Sequence, residues 1–246
     1  MRFYPNYITD DDKDRWVEIS CPILVICMFT AIYFIPLFNI TGAVKSYLES
    51  HSTIKIISSI LPFQFLLIIG SLLTPMLAYK QIAIKEKLML INWRKAYILE
   101  TFRLELKIIV PLIITAALSY FIFKAFGYDF SSSPILELLK NSDYKGIIVI
   151  FIFSVFIAPV VEEIAFRRVV FTFMARIFGS NVSIIMTSFI FACMHGGAVQ
   201  IIPLFMLGLV LQYLFIKNNS LYPSILLHCF HNSIVMILFI FGKYVL

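Results

Sequence analysis

The residues best suited to chemistry lie between position 146 and the end of the chain, and they are carboxylates and imidazoles. The acidic residues of this stretch are the adjacent pair Glu162 and Glu163. Three of the protein's four histidines share the stretch: His195, His228 and His231. A carboxylate and an imidazole can together remove a proton from water, and the hydroxide can attack an amide carbonyl. The resulting oxyanion needs hydrogen-bond donors, which a histidine and an asparagine amide can supply.

Other roles for the same side chains are open on residue type alone. Glu162, His195 and His228 are acceptable zinc ligands that would leave a fourth position for water. The two acids could also mark a membrane interface and pair with Arg167 and Arg168. His231 receives no role.

Helical spacing divides the two acids. Glu163 and Arg167 are four residues apart, so they lie one turn apart on the same helical face in the favoured Glu-before-Arg order. Glu162 points about 100° away from Glu163 and is free of that partner. A carboxylate inside a bilayer is costly unless it is paired or hydrated, which makes it a candidate for function. Pro159, just upstream, is expected to kink the helix and to open space around the acid.

The elements that must position these residues are membrane helices. Hydrophobic residues make up 61% of the 246 and charged residues only 14%, too few to cover a water-exposed globule. A transmembrane helix needs about 20 mostly apolar residues. We predict an all-α, polytopic helical bundle with about seven spans, at residues 20–40, 56–79, 108–126, 146–168, 181–198, 200–216 and 221–241.

The fifth and sixth spans form a nearly continuous apolar run that Gly196, Gly197 and Pro203 interrupt. We therefore expect a break or a re-entrant segment there, because irregular backbone is tolerated at that depth only beside protein or a wet cavity. A hairpin turn is predicted at residues 179–181. Counted from it, Glu162 and His195 lie within about 3 Å of the same level. The sequence thus predicts that the site residues converge.

The basic residues indicate the orientation. Fourteen of the 20 lysines and arginines fall in segments that are cytoplasmic if the amino terminus is cytoplasmic. Lys80 to Lys107 holds seven of them, mixed with apolar residues, and is predicted to be an interfacial helix between spans 2 and 3. An extension of the neighbouring span is the alternative. The net charge of +6 then reflects contact with the lipid bilayer, and no nucleic-acid partner is expected.

Three short motifs carry a family resemblance. Residues 162–167 read EExxxR, residues 191–195 read FxxxH, and residues 228–232 read HxxxN. In this order, on successive membrane helices, they resemble the family of CAAX proteases and bacteriocin-processing enzymes (CPBP), also called the Abi family. The resemblance covers residues 146–241, which would be the catalytic core of a single membrane domain over residues 1–246. Residues 1–145 would add the amino-terminal spans and the interfacial helix.

The resemblance implies an intramembrane endopeptidase. Glu162 and His195 would activate water, while His228 and Asn232 would stabilise the oxyanion. Glu163, Arg167 and Phe191 would shape the site. The resemblance favours a glutamate mechanism without a metal cofactor, and zinc on Glu162, His195 and His228 is the alternative.

Two other functions compete with proteolysis. One is a non-catalytic scaffold of the same fold that regulates partner proteins, and the other is a transporter with Glu162 and Glu163 as a proton relay. The Ile-, Phe- and Lys-rich composition is typical of an AT-rich bacterial genome, so a bacterial plasma membrane is the expected location. The substrate would then be a membrane-associated peptide or protein, such as a bacteriocin or pheromone precursor, or the role would be self-immunity.

Overall fold

The described part of the chain is built from helices. The computed structural model describes residues 88–127, 139, 142–195 and 198–245, and within these ranges every regular element is helical. The long helices are α1 (Ala96–Ala125), α2 (Tyr144–Phe178), α3 (Ser180–Met194), α4 (Ile201–Asn218) and α5 (Tyr222–Val245). A short 3₁₀ turn, Ala198–Gln200, precedes α4. The predicted all-α fold is confirmed.

Four of the helices, α1, α2, α4 and α5, are long and apolar enough to cross a membrane, whereas α3 has only 15 residues. Their outer faces carry large exposed apolar side chains, among them Val110, Phe121, Ile148 and Leu238. Such faces are stable against lipid tails and costly in water. The predicted polytopic membrane class is therefore confirmed. The spans at 20–40 and 56–79 lie outside the described residues, so the total of seven stays a prediction.

Helix α1 corrects the prediction of a separate interfacial helix. Residues 96–107 form the first turns of the same helix that contains the predicted span at 108–126. Tyr97, Thr101 and Glu105 are buried at four-residue spacing, so one face of these turns packs against protein instead of lying on headgroups. The alternative, an extension of the neighbouring span, is what the structure shows from Ala96 onward. Residues 80–87 lie outside the described part.

Helix α2 is longer than the predicted span 146–168. The predicted span ends at Arg168, but Arg167 and Arg168 are 0% and 2% exposed, and the helix continues to Phe178. Both arginines have partners within the helix: Glu163 for the first and the Thr172 hydroxyl for the second. Buried partners replace the headgroup contact that the sequence pattern had suggested.

Two π-helical turns interrupt α2, at Phe153–Ile157 and Ile164–Val170. They bracket the α-helical segment Ala158–Glu163, whose second residue is Pro159. Proline has no N–H to donate, so the regular ladder cannot continue through it, and a wider turn just before it accommodates the loss. Glu162 and Glu163 thus lie on a short α segment between irregular turns, and π turns are frequent at functional sites.

The connections around α3 match the predicted ones in part. Gly179 separates α2 from α3 with φ 76°, a conformation that glycine adopts at little cost. The predicted turn at residues 179–181 is thus confirmed at Gly179, whereas Ser180 and Asn181 already belong to α3. Helix α3 ends at Met194, and α4 starts only at Ile201, so the predicted break is also confirmed. Pro203 is not part of that break: it is the third residue of α4, where its missing N–H has no partner to lose.

One end of the bundle gathers the loops that carry basic residues. The Leu221 N–H donates to the Met89 carbonyl at 2.9 Å, so the α4–α5 turn rests on the segment that precedes α1. The last turns of α2 join the same cluster through Phe171 and Ala175, which pack with Met89 and Leu221. The start of α1 and the ends of α2 and α4 therefore share one end of the molecule.

Candidate active site

Glu162, His195 and His228 come together from three helices. The Glu162 Oε2 atom lies 3.3 Å from Nε2 of His195 and 3.7 Å from Nε2 of His228. The predicted convergence is confirmed, and the level argument for Glu162 and His195 holds. The Glu162 and His195 side chains are 29% and 28% exposed, while His228 is 2% exposed. The side chains of Glu162 and His195 are thus partly exposed, although the Oε2 atom of Glu162 that faces the imidazoles is itself buried. The His228 imidazole is buried.

His195 is the residue at which α3 ends, and its orientation is set by its own helix. Its Nδ1 lies 2.7 Å from the backbone carbonyl oxygen of Phe191, one turn earlier. A carbonyl oxygen only accepts, so Nδ1 carries a proton and donates it. In the neutral ring the lone pair is therefore on Nε2, the atom that faces Glu162. The FxxxH spacing produces this arrangement, because residues four apart meet on one face.

A buried network holds His228. Its Nδ1 donates to Oε1 of Glu163 at 3.0 Å, and Oε2 of Glu163 lies 3.1 Å from Nε of Arg167. Glu163 and Arg167 are both 0% exposed. The predicted division of the acids is confirmed as geometry: Glu163 is paired and buried, and Glu162 is partly exposed. Donation from Nδ1 leaves Nε2 of His228 directed toward the accessible side.

Phe191 lies at the centre of these groups. Its ring centroid is 4.4 Å from that of His195 and 5.7 Å from that of His228. The Arg167 guanidinium carbon lies 4.6 Å above the same ring, and Phe166 meets it edge-on at 5.2 Å. Phe191 is fully buried, so it fixes both imidazoles and the arginine by contact. Phe191 thus contacts the groups that the motifs place together, and its site-shaping role stays a prediction.

Asn232 follows His228 by one turn of α5, as the sequence predicted. Its Nδ2 donates to the backbone carbonyl of Ser154 at 2.8 Å. Ser154 lies in the first π turn of α2, where the backbone pattern is irregular. One amide hydrogen of Asn232 is thus occupied, and the second is not used by this bond. The contact with Ser154 had no signal in the sequence, because nothing marked the π turn.

A further pair near the site was missed. Nδ1 of His231 lies 3.0 Å from Oε1 of Glu105, which is fully buried on α1. His231 matches no motif, and Glu105 belongs to the stretch interpreted as interfacial. The signal was present in the spacing of Tyr97, Thr101 and Glu105, which places the acid on a face otherwise free of charge.

The zinc alternative would require Glu162, His195 and His228 to share one ion. Both Nε2 atoms approach a single oxygen of Glu162, so donor atoms of the right type are close together. Among the residues that the structure describes, no group of three or more His, Cys, Asp or Glu side chains has an arrangement that could hold a metal ion. A zinc requirement stays an untested alternative to the mechanism that uses only protein groups.

Comparison with known proteins agrees with this geometry. The UPF0177 protein YaiH of Lactococcus lactis subsp. lactis (strain IL1403) is 32% identical over 85 residues, which are 34% of this chain and 35% of that protein. The alignment thus spans about a third of the length of this curated relative. No solved structure matches the chain. The family model "Type II CAAX prenyl endopeptidase Rce1-like" matches residues 144–234, a range that holds all three motifs. The resemblance to a CAAX protease family is thus confirmed over residues 144–234 of this chain.

Proposed function

We propose that the protein is an intramembrane endopeptidase that hydrolyses a peptide bond of a membrane-associated substrate with a water activated by Glu162 and His195. The observation that carries the proposal is the approach of two imidazole Nε2 atoms to one carboxylate oxygen, at 3.3 and 3.7 Å, where acid and base remain partly exposed. The family match to residues 144–234 supports it independently.

The proposed mechanism places one positively charged imidazole in the cluster of Glu162, Glu163, Arg167 and the two histidines. Glu162 and Glu163 are negative and Arg167 is positive, so one imidazolium makes the group neutral, as a site of low dielectric favours. The proposed mechanism assigns that charge to His228, which contacts both carboxylates. In this mechanism Nε2 of His195 accepts a hydrogen bond from the attacking water.

The first step follows from this arrangement. A water that contacts both Glu162 and His195 donates one hydrogen to the carboxylate and the other to Nε2 of His195. Glu162 removes the first proton as the hydroxide oxygen forms a bond to the peptide carbonyl carbon. The π electrons of the carbonyl move onto its oxygen, which becomes the oxyanion.

The second step uses the donors on α5. The Nε2–H of His228 and the free amide hydrogen of Asn232 donate to the oxyanion, which they stabilise more than the neutral carbonyl. The carbon–nitrogen bond then breaks, and the proton held by Glu162 passes to the leaving nitrogen. Glu163, Arg167 and Phe191 touch no substrate in this scheme. They hold His228 and His195 in place.

The setting limits the substrate. The site lies on helices that are apolar enough to span a bilayer, so we propose a peptide or protein that is itself membrane-associated. The relative from Lactococcus lactis and the composition of the chain both support a bacterial plasma membrane. A bacteriocin or pheromone precursor, or a self-immunity target, is the substrate class we propose. The basic end of the bundle is proposed to be cytoplasmic, with the amino terminus inside.

The test compares peptides released in membranes that hold the wild type, Glu162→Ala or His195→Ala. Two matched controls change exposed residues of the described helices: Glu100→Ala on α1 and Cys193→Ala on α3. We expect cleavage to fall by about 10²–10⁴-fold in the two site variants and to persist in the controls.

The same experiment distinguishes the competing functions. A phenotype that survives in both site variants, without peptide release, would establish the scaffold function in place of proteolysis. A pH-gradient-dependent flux that Glu162→Gln abolishes would establish transport. Either result would overturn the proposal.

A further inference from the structure

The buried pair between α1 and α5 lies outside the proposed machinery. Nδ1 of His231 and Oε1 of Glu105 are 3.0 Å apart, with side-chain exposures of 11% and 0%. The second carboxylate oxygen, Oε2, is also buried and has no hydrogen-bond partner among the described residues. Within that part of the chain, His231 is thus the cation or donor that compensates Glu105.

An apolar side chain would pack these helices at lower cost. Burying a carboxylate is expensive unless a partner compensates it, and such pairs add less stability than a well-packed apolar pair. A buried polar pair instead favours one register and one rotation of the two helices, because any other packing leaves the buried carboxylate without its hydrogen-bond partner. The pair therefore restricts how α5 lies against α1.

The restricted helix is the one that carries the oxyanion donors. His231 is three residues after His228 and adjacent to Asn232, so all three move together with this part of α5. A side-chain tip lies about 5–6 Å from a helix axis, so a rotation of about 20° displaces it by about 2 Å. Displacements near 1 Å already cost about 10²-fold in rate.

Helix α1 is suited to serve as the reference for this positioning. Its face with Tyr97, Thr101, Glu105 and Leu112 is buried along four turns, so it is anchored over a long distance. Phe102 on α1 also meets Phe230 on α5 edge-on, with ring centroids 5.4 Å apart. Aromatic contacts tolerate sliding more readily than a hydrogen bond does. The acid–imidazole pair therefore sets the fine position.

We infer that Glu105 and His231 are positioning residues that fix the rotation of α5 and thereby align His228 and Asn232 with Glu162. The inference rests on the proposed endopeptidase function for its kinetic readout. It does not assign a proton-transfer role to either residue.

The experiment separates positioning from stability. Glu105→Leu and the double variant Glu105→Leu/His231→Leu are compared with Glu105→Gln, whose amide oxygen still accepts from His231, and with the exposed control Glu100→Leu. In the double variant no buried polar group of the pair remains, so its thermal stability is expected to match or exceed that of the wild type. Its kcat is expected to fall about 10- to 100-fold with little change in KM, because α5 is no longer fixed. Glu105→Gln is expected to retain most of the wild-type kcat.

A readout without activity keeps this test distinct from that of the function. ¹⁵N spectra of histidine-labelled protein report the Nδ1–H of His228, which is bonded to Glu163. We expect this signal to shift in the double variant and to stay in place in Glu105→Gln and Glu100→Leu. A folded double variant with wild-type kcat, or with an unmoved His228 signal, would overturn the inference. Absence of cleavage by the wild type, together with a shifted signal, would refute the endopeptidase function and leave the positioning role intact.

Discussion

Replacing Arg167 with methionine tests whether the buried ion pair supports the site. The Arg167 Nε and Glu163 Oε2 atoms are 3.1 Å apart, and neither side chain is exposed. At an effective dielectric constant of about 20 their attraction is about 5 kcal/mol. Methionine has a similar length and keeps the apolar contact with Phe191, so the main loss is the charge.

The expected cost follows from what remains. Glu163 would stay buried, and breaking a buried pair costs about 3–5 kcal/mol. His228 also contacts Glu163 and compensates part of the charge, so we expect the lower value, about 3 kcal/mol. For a chain of this size that corresponds to a fall of about 6–12 °C in Tm. Cleavage should fall as well, because Glu163 orients His228.

The measurement is thermal unfolding of the detergent-solubilised protein by far-UV circular dichroism, with peptide release in parallel. Arg103→Met, an exposed change on α1, is the control and should shift stability by less than about 0.5 kcal/mol. The double variant Glu163→Gln/Arg167→Met removes both charges and should recover part of the loss. If Arg167→Met melts with the wild type, or if the double variant is no more stable than the single one, the pairing argument is wrong.

Three further outcomes follow from the same structure. Asn232→Ala should lower kcat by about 10²–10³-fold with KM nearly unchanged, since the amide hydrogen that does not bond Ser154 is proposed to act on the oxyanion and not on the bound substrate; steady-state kinetics that show a rise in KM alone would contradict this. Gly208→Ala should lower the free energy of unfolding by about 1–3 kcal/mol, because the new Cβ would lie 3.1 Å from Cα of Ser188, where α4 packs on α3. The control Gly242→Ala places its Cβ where nothing lies within 4 Å, so in the same unfolding assay it should change stability by less than about 1 kcal/mol. Cleavage should persist in the presence of a chelator, and strong inhibition that added zinc reverses would replace the proposed mechanism with a metal-dependent one.

The residues of the site could be predicted from the sequence, because helical periodicity depends only on residues close together in the chain. The spacing of Glu163 and Arg167 predicted their pairing, and the spacing of Phe191 and His195 placed both on one face. Counting residues from the turn at Gly179 was enough to bring Glu162 and His195 to one level, since a helix rises by a constant amount per residue.

Features that depend on contacts between helices were harder to predict from the sequence. The sequence could not show that α1 continues through residues 96–107, because a mixture of basic and apolar residues suits both a separate interfacial helix and the first turns of a span. The predicted fourth span ends at Arg168 because an arginine suits a lipid headgroup as well as a buried partner, and the sequence does not distinguish the two. The π turns of α2 depend on Pro159 and on packing around it, and no residue pattern announces them.

The amino-acid sequence by itself determined that the protein is a helical membrane protein and which acid and imidazoles could act together. Those conclusions need only composition and the fixed geometry of a helix. The tertiary structure decided how deeply each carboxylate is buried, and it brought Glu105 to His231 across 126 positions of the chain. Contacts between helices depend on the rotation and register of each one, and these are set by the whole packed bundle.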